Sequence, residues 1–137
     1  MSKVESYLLG MDCGTTNLKA IILGEDGTVV AEASRPSTFM DLKSDMREQD
    51  ANEWWDNAKA VFKEITTTAG KEIVENIRGI SISSHVISLL PVDKEGNPVR
   101  NAMIWMDTRS DVELNYITDT LGFDHFVSIV GGQPSTA

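Results

Sequence analysis

One stretch near the start of the chain constrains the fold more than any other. Residues 7–23 contain two apolar runs joined by a short polar segment with a glycine at its centre. Runs of this length that are rich in leucine and isoleucine favour two β-strands joined by a tight turn. Gly14 is expected to adopt backbone angles that a side chain would forbid. The stretch therefore predicts an antiparallel pair of strands with a polar turn.

The polar residues of this turn suit a phosphate group and a metal ion. Amides around Gly14 can form a small nest for an anion, and Thr15 and Thr16 add hydroxyl donors. Lys19 supplies a positive charge, and Asp12 supplies a carboxylate that can hold a hydrated divalent cation. A simple hairpin turn rich in Gly, Thr and Asn accounts for the same residues, and both alternatives stay open. A P-loop and a dinucleotide-binding motif are not indicated, because the turn lacks a lysine–serine ending and no helix follows it.

The composition indicates one globular domain rather than two. The chain has 137 residues, of which 41% are hydrophobic, so it can build a substantial core. A net charge of −9 without a basic stretch argues against a nucleic-acid partner. Cys13 is the only cysteine, which excludes an intramolecular disulfide and agrees with a cytoplasmic location. No apolar run resembles a leader or approaches the ~20 residues of a membrane span.

A long amphipathic helix is predicted after residue 50. Asp50 and Glu53 have the spacing of a capping box, and Gly70 can end the helix. Apolar residues recur at three- and four-residue steps, which predicts one face packed on a sheet. Core packing is also the preferred interpretation of the two tryptophans. The residues of this face are Ala51, Trp54, Trp55, Ala58, Val61, Phe62, Ile65 and Ala69.

The other elements are predicted from turn residues and periodicity. Strands are expected at 28–34, 78–84, 86–92 and 102–106, with turns at 25–27 and 93–98, and an exposed loop at 37–49. A helical turn is expected at 71–76, a helix from Ser110 to Gly122 with Leu114, Ile117 and Leu121 inward, a helical segment at 123–130, and a loop at 131–134. This order predicts an α/β fold in which helices cover a mixed sheet. The sheet is expected to be incomplete, which would leave an edge or a face exposed.

Several motifs, in order, resemble those of one protein family. Residues 12–19 resemble the first phosphate loop of the superfamily of sugar kinases, heat-shock proteins and actin. Three further segments are similar to sequence motifs of the FGGY carbohydrate kinases. They are residues 48–50 before Trp54, the strand at 79–83 and the motif at 105–109. The resemblance covers essentially the whole chain. Such kinases are about three to four times longer, so residues 1–137 are expected to be the N-terminal part of domain I, without the rest of that domain or the second domain.

The resemblance implies a ribonuclease H-like fold and transfer of the γ-phosphoryl of ATP, with Mg²⁺, to a hydroxyl of a sugar or polyol. It implies that Thr15, Thr16 and Lys19 face the transferred phosphate, within a turn that also includes Gly14 and Asn17. It implies that Asp12 holds Mg²⁺, and that no residue of this chain is the general base, an aspartate expected beyond residue 137. The chain alone is therefore expected to be inactive.

The sugar side is implied by the same resemblance. Trp105 would place its ring against the carbon side of the sugar, and Asp107 and Arg109 would line or brace that pocket. His85 is a candidate sugar ligand, standing where a glutamine is common in the family. Val86 and Ile87 stand where polar groups are common, so the sugar's identity is open. A pentulose such as xylulose is the first candidate, and glycerol, another polyol or gluconate are alternatives.

Two further functions compete with the kinase. One is a non-catalytic phosphate-binding or interaction module, and the other is a chaperone-type ATPase or an acetate-type kinase, against which the tryptophan at 105 argues. Because the sheet is expected to be unfinished, self-association through the Trp54/Trp55 helix and the 103–106 strand is also predicted.

Overall fold

The computed structural model describes residues 6–136, without the side chains of residues 41 and 42. Their contacts divide these residues into two compact units. The first contains residues up to Thr38 together with Ala51–His85, and the second contains Phe39–Asp50 and the residues from Val86 onward. The strands are β1 (Tyr7–Cys13), β2 (Asn17–Gly24), β3 (Val29–Pro36), β4 (Met40–Lys43), β5 (Met46–Gln49), β6 (Ile77–Ser84) and β7 (Ala102–Met103), and the helices are α1 (Ala51–Ala69), α2 (Lys71–Glu75), α3 (Asp111–Leu121) and α4 (Phe123–Val130).

The first unit is built on a four-stranded mixed sheet in the order β3-β2-β1-β6. β1, β2 and β3 are antiparallel, and β6 lies parallel to β1, so the predicted mixed α/β plan is confirmed. α1 packs against β2 and β3, because alternate residues of these strands and the apolar stripe of α1 meet on one face. The core residues are Leu9, Leu18, Ala20, Ile22, Ala31, Ala33, Val61 and Ile65.

The sheet has an uncovered part at β6. Ile80 and Ile82 are in register with Leu9 and Met11 of β1, but their exposed fractions are 59% and 66%. α1 lies over β2 and β3, so it does not bury this end of the same face. The expectation of an exposed sheet face is confirmed for the residues that the structure describes.

Helix α1 has the predicted bounds but a narrower buried face. Val61 and Ile65 are fully buried, and Gly70, with φ of 82°, ends the helix by donating its N–H to Thr66. Trp55 is 67% exposed and Phe62 is 43% exposed, so the prediction that both belong to the packed face is wrong. They lie seven residues apart at the margin of the apolar stripe of α1. This stripe is wider than the part of the sheet on which α1 packs.

The loop predicted at 37–49 is instead a β-hairpin of the second unit. β4 and β5 are antiparallel, and β5 also pairs with β7. Glu48 is 3% exposed and Gln49 is fully buried, so this segment is not a solvent-exposed loop. Its polar side chains obscure the alternation that identifies a half-buried strand.

The rest of the second unit is less regular than predicted. The strand expected at 102–106 is only β7, two residues long, and the run at 86–92 forms two isolated bridges, Leu89 to Met103 and Val92 to Pro98. α3 and α4 have nearly the predicted bounds, but Ile117 and Leu121 are 40% and 46% exposed rather than inward. None of the residues described in 6–136 forms a helix both long and apolar enough to cross a membrane.

Ile87 has a strained backbone. Its φ is 63°, in the left-handed region that a β-branched residue rarely adopts. We expect Ile87→Gly to stabilise the chain by up to ~1 kcal/mol. The left-handed conformation costs a residue with a side chain roughly 1–2 kcal/mol, which glycine avoids. Part of this gain is lost because glycine has more conformational entropy in the unfolded chain. Ile87 is 54% exposed, so little burial is lost. Urea unfolding measures the change. Val86→Gly is the matched control, since Val86 is exposed without a positive φ and should lose stability; equal losses in both variants would contradict the strain.

Candidate functional site

The turn between β1 and β2 lies outside the strand ladder. Cys13 and Leu18 are the last paired residues of the hairpin, so Gly14, Thr15 and Thr16 lie beyond the β1–β2 pairing. The carbonyl of Thr16 accepts a hydrogen bond of 2.9 Å from the N–H of Ser37, which ties the turn to the end of β3. The side-chain amide of Asn17 donates to Oγ1 of Thr16 at 3.3 Å. The turn is therefore anchored at one side and leaves polar groups outside the sheet.

Gly14 is required for space rather than for an unusual backbone angle. It is not among the residues with positive φ, so the left-handed region is not what this position requires. A Cβ at this position would lie 2.9 Å from the carbonyl oxygen of Asn17 and 3.4 Å from Oδ2 of Asp12. Backbone cannot yield as a flexible side chain can, so a substitution here would have to move the turn.

Asp12 and Lys19 face each other across the hairpin. They are directly paired in the β1–β2 register, and both are exposed. Side chains of paired residues project from the same face of the sheet, so the carboxylate and the ammonium share one surface beside the turn. An open pocket of about 230 Å³ lies there, lined by Gly10, Met11, Asp12, Lys19, Ala20 and Ile21.

This donor set fits a hydrated magnesium ion shared with phosphate better than a metal site made by protein alone. Within residues 6–136, no group of three or more His, Cys, Asp or Glu side chains is placed to hold a metal ion. Magnesium commonly uses one or two carboxylates, with waters and phosphate oxygens as the other ligands, and Asp12 can supply one.

Burial, and then the nearby Asp12 carboxylate, raise the pKa of the Cys13 thiol, so this cysteine stays protonated at neutral pH.

His85 immediately follows β6 and lies beside the end of β1. Its N–H donates to the carbonyl of Cys13 at 3.1 Å. Its ring meets Trp54 edge to face, with centroids 5.2 Å apart. Nδ1 of His85 is buried and has no hydrogen-bond partner among the described residues. A buried ring nitrogen without a partner is costly, so this atom is a candidate contact for a bound molecule.

Trp105 lies on a tight turn of the second unit. The N–H of Asp107 donates to the carbonyl of Ile104 at 2.8 Å, which closes a four-residue turn around Trp105 and Met106. Ile104 is fully buried, whereas Trp105 is 52% exposed and Met106 is 41% exposed. The turn therefore presents an aromatic ring at the surface from a buried base.

Asp107 and Arg109 form a buried ion pair below this turn. Arg109 donates to both oxygens of Asp107, from Nε at 2.7 Å and from Nη2 at 2.5 Å. The backbone N–H groups of Arg47 and Arg109 donate to the same carboxylate, at 2.8 and 3.2 Å. Asp107 is 1% exposed and accepts four hydrogen bonds, so bracing rather than ligand contact is the role that its surroundings favour.

Glu48 joins this pair and was predicted only as part of a sequence motif. Its Oε1 accepts from Nη2 of Arg109 at 2.8 Å and from Nη2 of Arg100 at 2.5 Å. Burial by itself raises the pKa of the Glu48 and Asp107 carboxyl groups, but hydrogen bonds outweigh it and hold both pKa values below their usual range. The hydrogen bond from Arg109 lowers each of these pKa values more than any other hydrogen bond does. The hydrogen bond to Asp107 raises the pKa of Arg109, although burial opposes it. Glu48, Asp107 and Arg109 are therefore ionised at neutral pH.

The structure thus groups the predicted residues into two sets. The first unit contains Asp12, Gly14, Thr15, Thr16, Asn17, Lys19 and His85. The second unit contains Trp105, Asp107 and Arg109. No signal in the residue spacing indicates the part of Glu48 in the second set, because its arginine partners are 52 and 61 residues away in sequence.

A polar turn on a mixed sheet, with a carboxylate and a lysine beside it, defines an α/β protein with a candidate phosphate site. The model of the family described as "FGGY family of carbohydrate kinases, N-terminal domain" matches residues 7–136. The chain belongs to the FGGY family of carbohydrate kinases.

Relatives and solved structures agree with this assignment. A xylulose kinase of Staphylococcus epidermidis is 34% identical over 121 residues, which cover 87% of this chain and 24% of the relative. A glycerol kinase of Haloferax volcanii is 35% identical over 107 residues, covering 77% and 21%. The crystal structure of xylulose kinase from Rhodospirillum rubrum matches with a TM-score of 0.80 at 32% identity, over 88% of this chain and 25% of that one. The chain spans about a quarter of the length of these proteins, and the predicted fold class is confirmed.

Proposed function

We propose that residues 1–137 are the N-terminal part of domain I of an ATP-dependent carbohydrate kinase. The reaction is transfer of the γ-phosphoryl of ATP to a hydroxyl of a sugar or polyol, with a pentulose such as xylulose as first candidate. The observation that carries the proposal is the exposed Asp12–Lys19 pair beside a turn that lies outside the ladder. The similarity to xylulose kinases favours the pentulose, and that to glycerol kinases keeps glycerol as the alternative.

The turn would hold the phosphates of the nucleotide. Amides near Gly14 and the hydroxyls of Thr15 and Thr16 donate hydrogen bonds to phosphate oxygens, with Asn17 completing the turn. Lys19 neutralises part of their charge, and Asp12 would hold Mg²⁺ through water. The chemistry supplied by bound Mg²⁺ is neutralisation of charge on the β- and γ-phosphate oxygens. Such positioning and charge stabilisation account for most of the catalysis in phosphoryl transfer.

The sugar would be held by groups of different chemistry. The half-exposed ring of Trp105 suits the C–H face of a sugar, while Arg109 and the buried Asp107 brace the turn that carries it. The unpartnered Nδ1 of His85 suits a sugar hydroxyl. The resemblance to the family implies that the general base is an aspartate beyond residue 137. A base must lie within hydrogen-bond reach of the attacking hydroxyl, and Asp12 is assigned to the metal.

Sugar-dependent ADP release by the full-length enzyme tests this function. We expect turnover with xylulose or another pentulose to exceed turnover with glycerol and gluconate. The 137-residue chain assayed in parallel should show no measurable turnover, since the base is expected beyond residue 137. Activity of the short chain comparable to that of an intact kinase would contradict the residue assignment. ATP binding by the full-length protein without turnover on any sugar would favour a non-catalytic phosphate-binding module.

The exposed apolar surface supports self-association of this 137-residue chain. The location proposed for the protein is the cytoplasm. Trp55, Phe62, Ile80 and Ile82 are all more than 40% exposed in the first unit, and Trp105 and Met106 are so in the second. Exposed apolar residues in this number favour association when nothing covers them. We expect light scattering at increasing concentration to show dimers or larger species. A monomer at high concentration would contradict this expectation.

A further inference from the structure

We propose that Glu48 is a positioning residue for sugar binding, acting through Arg109 on the turn that carries Trp105. This inference rests on the proposed function, in which that turn contacts the sugar. Glu48 is 3% exposed, so it is not expected to touch the sugar itself. A buried carboxylate persists where it is fully paired, and Glu48 is paired with two arginines.

The strand that carries Glu48 holds the Trp105 turn at both of its ends. Glu48 is paired with Met103 in the β5–β7 register, and the N–H of Ile104 donates to the carbonyl of Arg47 at 3.2 Å. On the far side of the turn, the N–H of Arg47 donates to Oδ2 of Asp107 at 2.8 Å. The N–H of Thr108 donates to the carbonyl of Asp45 at 2.9 Å. A shift of β5 against the turn would therefore move the Trp105 ring.

Arg109 is the side chain that links Glu48 to the turn. Its guanidinium group is shared between Asp107, which closes the turn, and Glu48, which lies on β5. The Arg109 side chain is 18% exposed, so water can only partly replace a lost carboxylate. Removing the charge of Glu48 leaves Asp107 as the carboxylate that pairs with Arg109, and weakens the hold on Arg100, whose side chain is 45% exposed. The turn then keeps its own closing hydrogen bond but loses its ionic link to β5.

A loosened aromatic platform would affect the sugar and not the nucleotide. Small displacements of positioning groups are costly, so we expect Glu48→Gln to raise the KM for the sugar about 10-fold. The KM for MgATP should stay within about twofold, because the proposed nucleotide turn does not involve this network. A merely structural weakening would lower the amount of folded enzyme and leave both KM values unchanged.

Steady-state kinetics of the full-length enzyme test this assignment. Glu48→Gln is compared with Glu64→Gln, the matched control, since Glu64 is also paired with an arginine, Arg35, but lies in the first unit. The control should leave the sugar KM unchanged. If Glu48 acts through Arg109, the double variant E48Q/R109Q should have the same sugar KM as R109Q alone. Multiplied effects in the double variant would overturn the link through Arg109.

The outcomes separate this inference from the proposed function. A sugar KM that rises in Trp105→Ala but not in Glu48→Gln overturns the role of Glu48 and leaves the kinase assignment standing. A full-length enzyme without sugar-dependent ADP release removes both. Where Glu48→Gln does not fold, Glu48→Asp keeps the charge and withdraws it from Arg109, and a raised sugar KM is again expected. Failure of both variants to fold would mean that Glu48 is structural, and would overturn the proposal.

Discussion

Replacing Asp12 by asparagine in the full-length enzyme is expected to lower kcat by roughly 100-fold or more, with the sugar KM little changed. The amide keeps the shape of the carboxylate but removes the charge that would hold Mg²⁺. Asp12 is exposed, so the substitution should leave the thermal unfolding midpoint almost unchanged. The measurement is ADP release at saturating sugar, with varied MgATP.

Glu32→Gln is the matched control for Asp12→Asn. Glu32 is an exposed carboxylate on β3, in register with Ile21, and therefore projects from the same face of the sheet as Asp12. It lies away from the turn, so its loss should change kcat by less than about twofold. Equal effects of the two variants would indicate a general electrostatic influence of this face, and would contradict a specific role of Asp12.

Replacing Asp107 by alanine is expected to destabilise the 137-residue chain by about 3–5 kcal/mol. The loss is large because the partly buried Arg109 would keep Glu48 as its ionic partner but lose both contacts with Asp107, while the backbone N–H groups of Arg47 and Arg109 would lose their acceptor. Asparagine at the same position keeps part of the hydrogen bonding and should cost less. Urea denaturation followed by circular dichroism measures the free energy of unfolding.

Asp56→Ala is the comparison for this second substitution. Asp56 pairs with Lys59 on the surface of α1, where the two side chains are 72% and 55% exposed. A surface pair of this kind contributes about 0–1 kcal/mol. If Asp107→Ala and Asp56→Ala lower the free energy of unfolding by the same amount, the buried network of Asp107 and Arg109 is not what stabilises the second unit.

The parts of the fold that sequence reasoning predicted well are those with a local signal. β1, β2 and α1 contain apolar residues at the spacing of one face, and Gly27 and Gly70 stand at their turns with φ of 84° and 82°. Such signals depend on neighbours within one or two helical turns. They survive without knowledge of the remaining chain.

The hairpin of β4 and β5 was missed because its stability comes from distant residues. Glu48 is buried by arginines at 100 and 109, and a polar residue at a buried strand position has the appearance of a loop residue in the sequence. Trp55 illustrates the reverse error. Its apolar character indicates burial, but exposure depends on which surface the sheet offers to α1.

The candidate site was predictable as residue types and not as an arrangement. The hairpin that carries Asp12 and Lys19 was predicted, whereas the register that pairs these two residues directly comes from the structure. The sharing of Arg109 between Asp107 and Glu48, and the buried Nδ1 of His85, require tertiary contacts that no spacing rule contains.

The turn between β1 and β2 is expected to bind the terminal phosphates of a nucleotide. A crystal structure of the full-length enzyme with Mg²⁺ and a non-hydrolysable ATP analogue tests it most directly. We expect a β- or γ-phosphate oxygen within hydrogen-bond distance of the amides of Gly14–Thr16, with the metal beside Asp12. Phosphates bound elsewhere, with this turn occupied only by water, would contradict it.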